Sequence, residues 1–206
     1  MPLIEDFLRP STCRLAVWQI DESVATLSAA LPLTPRQKKE ITLRKIESAQ
    51  QGYLAVRLAL QQLGTSPRTL TTAPDGAPLI PQGHCSLSHS RSHAAAVTSE
   101  SPIGVDLEAH RLKIQRIAHK FMHANEKKWL AINDIPSLTR LWTAKEAIYK
   151  AVRHPGLSFA QAVEVDAFDS KDQRGTAQIV LNGKTQQFSL EYITFQQHEL
   201  TIAQPE

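Results

Sequence analysis

The order of helical and extended segments restricts the fold of this sequence more than any other feature. An amphipathic helical stretch followed by short extended segments occurs twice, once on each side of about Pro102. A helix with one apolar stripe must bury it against another layer, which short strands supply as a small sheet. The sequence therefore predicts an α/β (α+β) fold with two halves, residues 1–102 and 103–206.

The N-terminal half begins with a predicted strand over residues 14–20, and Thr34-Pro35 then opens a long helical stretch. Apolar residues recur there at three- and four-residue spacing, which predicts one buried helix face that ends at Gly64. They are Ile46, Ala49, Tyr53, Val56, Leu60 and Leu63. Residues 71–81 contain Asp75-Gly76 and three prolines, so they predict a turn between short extended pieces.

The remaining predicted elements alternate between strands and helices. We predict strands over residues 93–98 and 103–108, separated by turn residues 99–102. Two helical regions follow over residues 115–132 and 137–152, and Pro155-Gly156 ends the second. The chain finishes with strands over residues 163–168, 176–181 and 186–193, with Asn182-Gly183 as a hairpin turn between the last two.

Length and composition agree with a folded protein. The chain has 206 residues, 42% hydrophobic and 21% charged, close to ordinary globular usage. No segment approaches the roughly 18 consecutive apolar residues of a membrane span, and residues 1–14 lack the apolar core of a signal peptide. Cys13 and Cys85 predict neither a disulfide framework nor a zinc site. We therefore expect a soluble, cytoplasmic protein without membrane contact.

Positive charge is concentrated in the middle of the sequence. Residues 109–155 contain ten Lys or Arg and three acids, whereas residues 156–206 contain three Lys or Arg and seven acids. A solvated helix surface usually explains such a segment. The alternative is a surface for an acidic partner, either a nucleic acid or an acidic protein.

Two carboxylates lie close together in the segment Ile103-Gly104-Val105-Asp106-Leu107-Glu108. Alternation along a strand turns Asp106 and Glu108 to one face and the apolar residues to the other. Paired carboxylates repel each other unless solvent or a cation compensates, and Mg²⁺ binds such oxygens together with substrate phosphates. A strand with one solvated face is the simpler explanation of an isolated D-x-E pattern.

The predicted helix over residues 137–152 carries further candidates. Its buried stripe consists of Leu138, Leu141, Trp142, Ile148 and Tyr149, and Glu146 lies at the margin of that stripe. Glu146 and Lys150 are four residues apart, the spacing of an ordinary ion pair on a helix surface. The functional alternative makes Glu146 a third metal ligand and uses Lys145 and Lys150 as charges for phosphate.

Two segments have a weaker signal. Glu126 follows the apolar pair Phe121-Met122, and in isolation it is most simply explained as a surface residue. The segment Cys85-Ser86-Leu87-Ser88-His89-Ser90 presents hydroxyls and an imidazole that suit phosphate contact. Spacing identifies no partner acid for a serine nucleophile there.

Taken in order, these segments resemble the signatures of the 4'-phosphopantetheinyl transferases, in particular the pseudodimeric class of about this length. Ser86-Leu87-Ser88-His89-Ser90 resembles their serine-histidine phosphate motif, and residues 103–108 resemble their metal motif. The run from Trp142 to Lys150 is similar to their W-x-x-K-E-x-x-x-K motif. Three matches in the right order across residues 86–150 argue against coincidence.

The resemblance implies a reaction and a set of metal ligands. A serine hydroxyl of an apo acyl, peptidyl or aryl carrier protein attacks the β-phosphorus of coenzyme A. The phosphopantetheine arm is transferred and 3',5'-ADP leaves. The resemblance further implies that Asp106, Glu108 and Glu146 hold Mg²⁺, with Mn²⁺ as the alternative, against the pyrophosphate.

The resemblance also implies roles for the other candidates. His89 would contact the 3'-phosphate of coenzyme A, with Ser88 beside it. Lys150 would neutralise the transferred phosphate, assisted by Lys145. Glu126 is the candidate general base for the carrier serine, and Glu146 is the alternative.

The N-terminal half departs from the family at one position, because Gly76-Ala77-Pro78 stands where Gly-Lys-Pro is common. The family also uses basic residues near the start of its first long helix for the 3'-phosphate. Lys39 is a candidate for that contact, as are Lys38, Arg44 and Lys45. Arg57 matches an arginine common in the family, and a structural ion pair explains it equally well.

The architecture implied by the resemblance has two similar halves, each a helix packed on a small, mainly antiparallel sheet, with the active site in the cleft between them. Residues 1–102 would bind the nucleotide side of coenzyme A. Residues 103–206 would supply the metal ligands, the catalytic acids and a basic docking surface for an acidic carrier protein.

Two other functions fit part of the pattern. A metal-dependent phosphodiesterase or nuclease would use Asp106 and Glu108, with the basic segment on nucleic acid. The sequence shows no second cluster of acids or histidines for such an enzyme. A non-catalytic carrier-binding protein would have no use for three acids around one cation. The expected partners are therefore coenzyme A and an apo carrier protein, without nucleic acid.

Overall fold

The computed structural model describes residues 13–206, which form two compact units that divide between Ser101 and Pro102. Each unit has helices packed on an antiparallel sheet, and the predicted α+β class is confirmed. Across the described residues no helix combines the length and the apolar character needed to span a bilayer.

A three-stranded antiparallel sheet forms the first unit together with one long helix. The strand order is β1 (Cys13–Gln19), β5 (His93–Ser99) and β4 (His84–His89). The long helix α3 (Glu47–Gln62) packs on β5 and β1 through its apolar face. The shorter elements are α1 (Val24–Ala29), α2 (Pro35–Thr42), β2 (Thr71–Thr72) and β3 (Pro78–Leu79). Strands β2 and β3 pair with each other around the predicted turn.

The helical stretch after Thr34 consists of two helices, not one. Thr34 is the N-cap of α2: its hydroxyl accepts from the backbone nitrogen of Gln37, whose side chain accepts from the backbone nitrogen of Thr34. The chain leaves the helical conformation after α2 and begins α3 at Glu47. Ile46, which the periodicity assigns to the buried face, is the N-cap residue of α3 and is 67% exposed.

A five-stranded antiparallel sheet forms the second unit. The strand order is β6 (Gly104–Ala109), β10 (His198–Pro205), β9 (Lys184–Phe195), β8 (Arg174–Leu181) and β7 (Val163–Val165). Helix α5 (Ile135–Val152) packs on β6 and β10, and α4 (Lys113–Phe121) packs on α5. A short helix, α6 (Phe159–Ala162), leads into β7. The apolar core of this unit lies between α5 and the sheet.

Several predicted elements of the second unit differ from the structure. The helix predicted over residues 115–132 ends at Phe121 and is followed by a single 3-10 turn at Glu126–Lys128. Strand β10 has no counterpart among the predicted elements, and neither has β4 in the first unit. The hairpin turn at Asn182-Gly183 is confirmed, and both of its residues have a positive φ, 51° and 75°.

Helix α5 approaches the sheet most closely at Gly104 on β6. A Cβ atom at this position would overlap the carbonyl oxygen of Ala147 and would lie 2.9 Å from the backbone nitrogen of Ala151. A glycine is therefore required where the helix backbone lies directly on the strand. This contact brings the carboxylates of β6 and the polar residues of α5 together.

Candidate active site

Helix α5 covers the sheet face that carries the two strand carboxylates. Thr201 on β10 is the cross-strand partner of Asp106, and its hydroxyl lies 2.8 Å from the hydroxyl of Thr143 on α5. Cross-strand partners point to the same face of a sheet. Asp106 therefore points towards α5 and is only 6% exposed. The solvated-face explanation of the D-x-E pattern is wrong for Asp106.

Lys150 links α5 to the strand that carries these carboxylates. Its Nζ donates to the backbone oxygen of Val105 at 2.9 Å and forms an ion pair with Oδ1 of Asp106 at 2.7 Å. The Lys150 side chain is 27% exposed, whereas that of Asp106 is 8% exposed. Lys150 thus places a positive charge beside the acids while part of it remains open to solvent.

Glu146 and Glu108 share the electrostatic environment of Asp106. Burial, followed by the nearby charges of Asp106 and Glu108, raises the pKa of Glu146 from 4.5 to about 7. Burial and the charge of Asp106 also raise the pKa of Glu108. The three carboxyl groups therefore interact with one another across β6 and α5, and their mutual repulsion is only partly offset by Lys150.

Replacing Glu146 by Gln is expected to stabilise the metal-free protein by about 1–2 kcal/mol at about pH 8. An ionised carboxylate in this half-buried cluster costs stability, and the amide of Gln removes the charge without changing the shape. Because the pKa of Glu146 is raised in the folded state, this carboxyl contributes its full stability below about pH 4.5. The contribution is lost as the pH rises through about 7. The advantage of Glu146→Gln should therefore be absent at about pH 4.5 and complete at about pH 8. Urea unfolding with a chelator measures it, and an advantage independent of pH would contradict the cluster.

The donor atoms of this cluster suit a divalent cation. Carboxylate oxygens are the ligands that Mg²⁺ and Mn²⁺ prefer. Burial and, after it, repulsion from neighbouring carboxylates raise the pKa of Glu146, and a cation would relieve that repulsion. Within residues 13–206, no three acidic, histidine or cysteine side chains lie close enough together to hold a metal ion as they are placed. Binding of a cation therefore needs a side-chain rotation that brings the glutamates towards Asp106.

Glu126 lies in the interior of the second unit. Its Oε2 accepts from the backbone nitrogen of His123 at 2.6 Å, and its Oε1 accepts from the backbone nitrogen of Val165 at 2.9 Å. Its Oε2 also pairs with Nζ of Lys145 at 2.8 Å, and both side chains are 0% exposed. The surface explanation of Glu126 is wrong. In this arrangement the carboxylate also has no path to the hydroxyl of a carrier protein.

Lys145 is likewise enclosed. Besides Glu126, its Nζ donates to the backbone oxygens of Phe159 at 3.2 Å and Val163 at 2.7 Å. Burial lowers the pKa of Lys145 to about 8, although the charge of Glu126 opposes this shift. The structure therefore gives Lys145 three internal acceptors, and it offers no support for a contact with a coenzyme A phosphate.

His89 and Ser88 lie at the end of β4 in the first unit. His89 is exposed and Ser88 is buried. A Cβ atom at Gly52 on α3 would lie 2.5 Å from Nδ1 of His89, so the glycine makes room for the imidazole. Gly52 was not among the predicted site residues. A glycine in the interior of a helix lowers its stability by roughly 1 kcal/mol relative to alanine. Its presence in a strongly periodic helix is therefore the sequence signal for a close contact at this position.

Arg57 belongs to a stacked cluster around Tyr53. The guanidinium carbon of Arg57 lies 3.3 Å from the centre of the Tyr53 ring, and that of Arg44 lies 4.0 Å from it. The Tyr53 hydroxyl donates to Glu40 at 2.8 Å. Burial lowers the pKa of Arg57 to about 10. Arg57 is thus buried and stacked on Tyr53, whereas Arg44 is half-buried and Lys39 on α2 is exposed.

Both units are similar to known proteins of one family. Residues 102–203 match the 4'-phosphopantetheinyl transferase superfamily, and residues 37–99 match the 4'-phosphopantetheinyl transferase N-terminal domain. A segment of 73 residues is 34% identical to the 4'-phosphopantetheinyl transferase gsp of Aneurinibacillus migulanus. That segment covers 34% of this chain and 31% of the relative, so the match spans less than a third of the relative's length. Since the two family matches lie one in each unit and together cover most of the sequence, the chain belongs to the 4'-phosphopantetheinyl transferase superfamily.

Proposed function

We propose that this protein transfers the 4'-phosphopantetheine arm of coenzyme A to a serine of an apo acyl, peptidyl or aryl carrier protein. The observation that carries the proposal is the group of Asp106, Glu108 and Glu146, whose carboxyls interact beside the partly exposed ammonium of Lys150. Phosphoryl transfer needs such charges, because catalysis consists mainly of positioning the substrates and neutralising charge.

In the proposed reaction, each acidic residue of the cluster has a task. Asp106, Glu108 and Glu146 would hold Mg²⁺ or Mn²⁺, which when bound neutralises the pyrophosphate. A bond forms between the serine oxygen and the β-phosphorus, and the bond from that phosphorus to 3',5'-ADP breaks. The serine proton passes to a carboxylate, for which we choose Glu146 because both oxygens of Glu126 are engaged in the interior.

We assign the basic residues that contact coenzyme A as follows. Lys150 donates to the oxygens of the transferred phosphate, because its side chain is partly open to solvent. In the first unit, exposed His89 contacts the 3'-phosphate with Ser88 beside it, and Lys39 supplies a further exposed charge. Arg57 acts through its stacking on Tyr53 and not through direct phosphate contact.

The basic segment provides a docking surface for an acidic carrier protein. Three of its ten cations do not contribute, because Arg140 and Lys145 are buried and Lys150 belongs to the cluster. The exposed ones are Arg111, Lys113, Arg116, Lys120, Lys127, Lys128 and Arg153. Asp134 is the exposed acid of this segment. A surface of one sign attracts a partner of the opposite sign and increases its rate of encounter.

Reversing two charges on α4 is expected to weaken carrier recognition without affecting chemistry. The double variant Arg116→Glu/Lys120→Glu should raise the KM for the carrier about tenfold and leave kcat within about twofold. The effect should shrink as salt is added, since exposed charges are screened. Lys171→Glu/Lys184→Glu, two exposed reversals outside the basic segment, is the matched control. Equal KM values for the two variants at low salt would contradict the docking surface.

We further propose that the protein works in the cytoplasm as a monomer. Both family domains lie in one chain, so one copy supplies all the residues assigned above. Burial of both cysteines, Cys13 and Cys85, is compatible with a reducing compartment.

Incubation with coenzyme A, Mg²⁺ and an apo carrier protein tests the proposed function. Intact-mass measurement should show the addition of one phosphopantetheine to a carrier serine, together with release of 3',5'-ADP. Unchanged mass across a panel of acyl, peptidyl and aryl carriers would contradict the transferase. Metal-dependent cleavage of a simple phosphodiester without any carrier would instead favour the nuclease alternative.

A further inference from the structure

We infer that Glu126 and Lys145 are positioning residues whose buried ion pair closes the open edge of β7 and fixes the orientation of α5. The inference rests on the proposed function. In it, the ion pair takes no direct part in the reaction and instead holds Glu146 and Lys150 in place. Four steps support it: the sheet edge, the saturation of both charges, the geometry of the helix, and the segments that the pair joins.

The ion pair occupies the place of a further strand beside β7. This strand is the last of its sheet and pairs with β8 on one side only. On its other side, the carbonyl of Val163 accepts from Lys145 at 2.7 Å and the N–H of Val165 donates to Glu126 at 2.9 Å. Alternate residues of a strand direct their backbone groups to the same edge. Lys145 and Glu126 therefore meet two of the backbone groups that an additional strand would bond.

Both charged groups have several hydrogen-bond partners from within the protein. The ammonium of Lys145 has three N–H donors, and three acceptors surround it, on Glu126, Phe159 and Val163. The carboxylate of Glu126 accepts from two backbone N–H groups in addition to Lys145. A buried ion pair is tolerated only when additional hydrogen bonds pair its remaining donors and acceptors. Loss of one partner is strongly destabilising.

The geometry of α5 connects this pair to the acids. Successive helix residues project about 100° apart, so fixing the direction of Lys145 also fixes that of Glu146. Lys145 projects towards α6 and β7, whereas Lys150 reaches Asp106 on β6. A rotation of α5 that loosened the ion pair would therefore turn Glu146 and Lys150 away from their places on β6.

The pair also joins segments that are distant from one another in the sequence. It connects α5, the residues around the 3-10 turn, the start of α6 and the edge of β7. These contacts span up to 39 residues of sequence. Holding three other segments against α5 is the arrangement expected of residues that act through their neighbours.

Four proteins test the inference: the wild type, Lys145→Met, Glu126→Gln and the double variant. Lys145→Met leaves an ionised Glu126 without its partner, so kcat should fall about 10- to 100-fold, while the KM for coenzyme A stays within about twofold. Glu126→Gln should keep at least about a tenth of the wild-type kcat, whereas removal of a general base would lower kcat far more. The double variant removes both charges and should recover most of the activity lost in Lys145→Met.

Each alternative role predicts a different result. If Lys145 binds a coenzyme A phosphate, the KM for coenzyme A rises in Lys145→Met and remains high in the double variant. If Glu126 is the general base, Glu126→Gln and the double variant are both inactive although folded. Either result overturns the inference. If Lys145→Met does not fold, a folded and active double variant still supports the pair, and an inactive one opposes it.

The proposed function and the inference fail in different ways. A wild-type protein that modifies no carrier counts against the proposed function. An active wild type with an unrescued double variant counts against the inference alone. Thermal unfolding of the four proteins gives a readout that needs no activity. The midpoint of the double variant should lie above that of Lys145→Met, and a midpoint at or below it overturns the inference.

Discussion

Asp106→Asn and Glu146→Gln are each expected to lower the rate of phosphopantetheine transfer about 1,000-fold or more while the protein remains folded. Asp106 is the carboxylate that pairs with Lys150 at 2.7 Å, and its charge raises the pKa of Glu146. In the proposed reaction, removal of either charge would take a ligand from the cation and leave the pyrophosphate less well neutralised. Glu146→Gln should therefore be inactive and, without metal, more stable than the wild type.

The rate of mass gain on the carrier measures this loss. Glu206→Gln replaces an exposed acid and is the matched control, expected to have the wild-type rate. Unfolding curves of the variants exclude a general loss of structure. Asp106→Asn with more than about a tenth of the wild-type rate would contradict the metal assignment, because an uncharged amide oxygen is a weaker ligand for a divalent cation than a carboxylate.

The elements with strong periodicity could be predicted from the sequence. Helix α5 and strand β6 appear within a few residues of their predicted bounds, and the alternation that turns Asp106 and Glu108 to one face is confirmed by the register with β10. What the sequence could not reveal is the layer that covers this face. Gly104 was the signal for that layer, since a strand glycine often marks the close approach of another backbone.

The expectation for Lys145 shows how a motif can obscure periodicity. Lys145 is four residues after Leu141 and three before Ile148, so the helical period alone assigns it to the buried stripe. The basic residue type instead favoured a phosphate contact. The acceptors that allow its burial come from Glu126 and from the backbone around β7, distant parts of the sequence that no local pattern connects.

Glu126 and the end of α4 illustrate the same limit. The predicted helix over residues 115–132 stops at Phe121, and the carboxylate of Glu126 then accepts from the backbone of His123. This bond and the one to Val165 hold a non-helical segment that helix propensity alone would have extended. Tertiary contacts decide the end of the helix here.

A second buried network also lay outside the reach of the sequence. Glu199 on β10 pairs with Arg140 at 3.1 Å and with His110 at 3.0 Å. Arg140 further donates to backbone oxygens of the loop that contains Asp169 and Ser170. A count of charges treats Arg140 as part of the basic surface, whereas the structure makes it an internal link between α5, β10 and this loop.

Gly104→Ala is expected to destabilise the protein by about 3 kcal/mol or more, or to prevent folding of the second unit. The added methyl would overlap the carbonyl oxygen of Ala147 and lie 2.8 Å from its carbonyl carbon. These are backbone atoms of α5, so relief requires displacement of the whole helix from β6. Such a displacement would also separate Glu146 and Lys150 from Asp106.

Gly52→Ala is the matched control for this variant, because the methyl there would meet the exposed side chain of His89 and not the backbone. The imidazole can rotate away, and Ala stabilises a helix interior more than Gly does. Gly52→Ala should therefore lower the free energy of unfolding by less than about 1 kcal/mol. Chemical denaturation compares the two variants. Equal stability of Gly104→Ala and the wild type would mean that α5 does not lie directly on β6. The three carboxylates would then have no shared environment, and the proposed reaction would lose its structural basis.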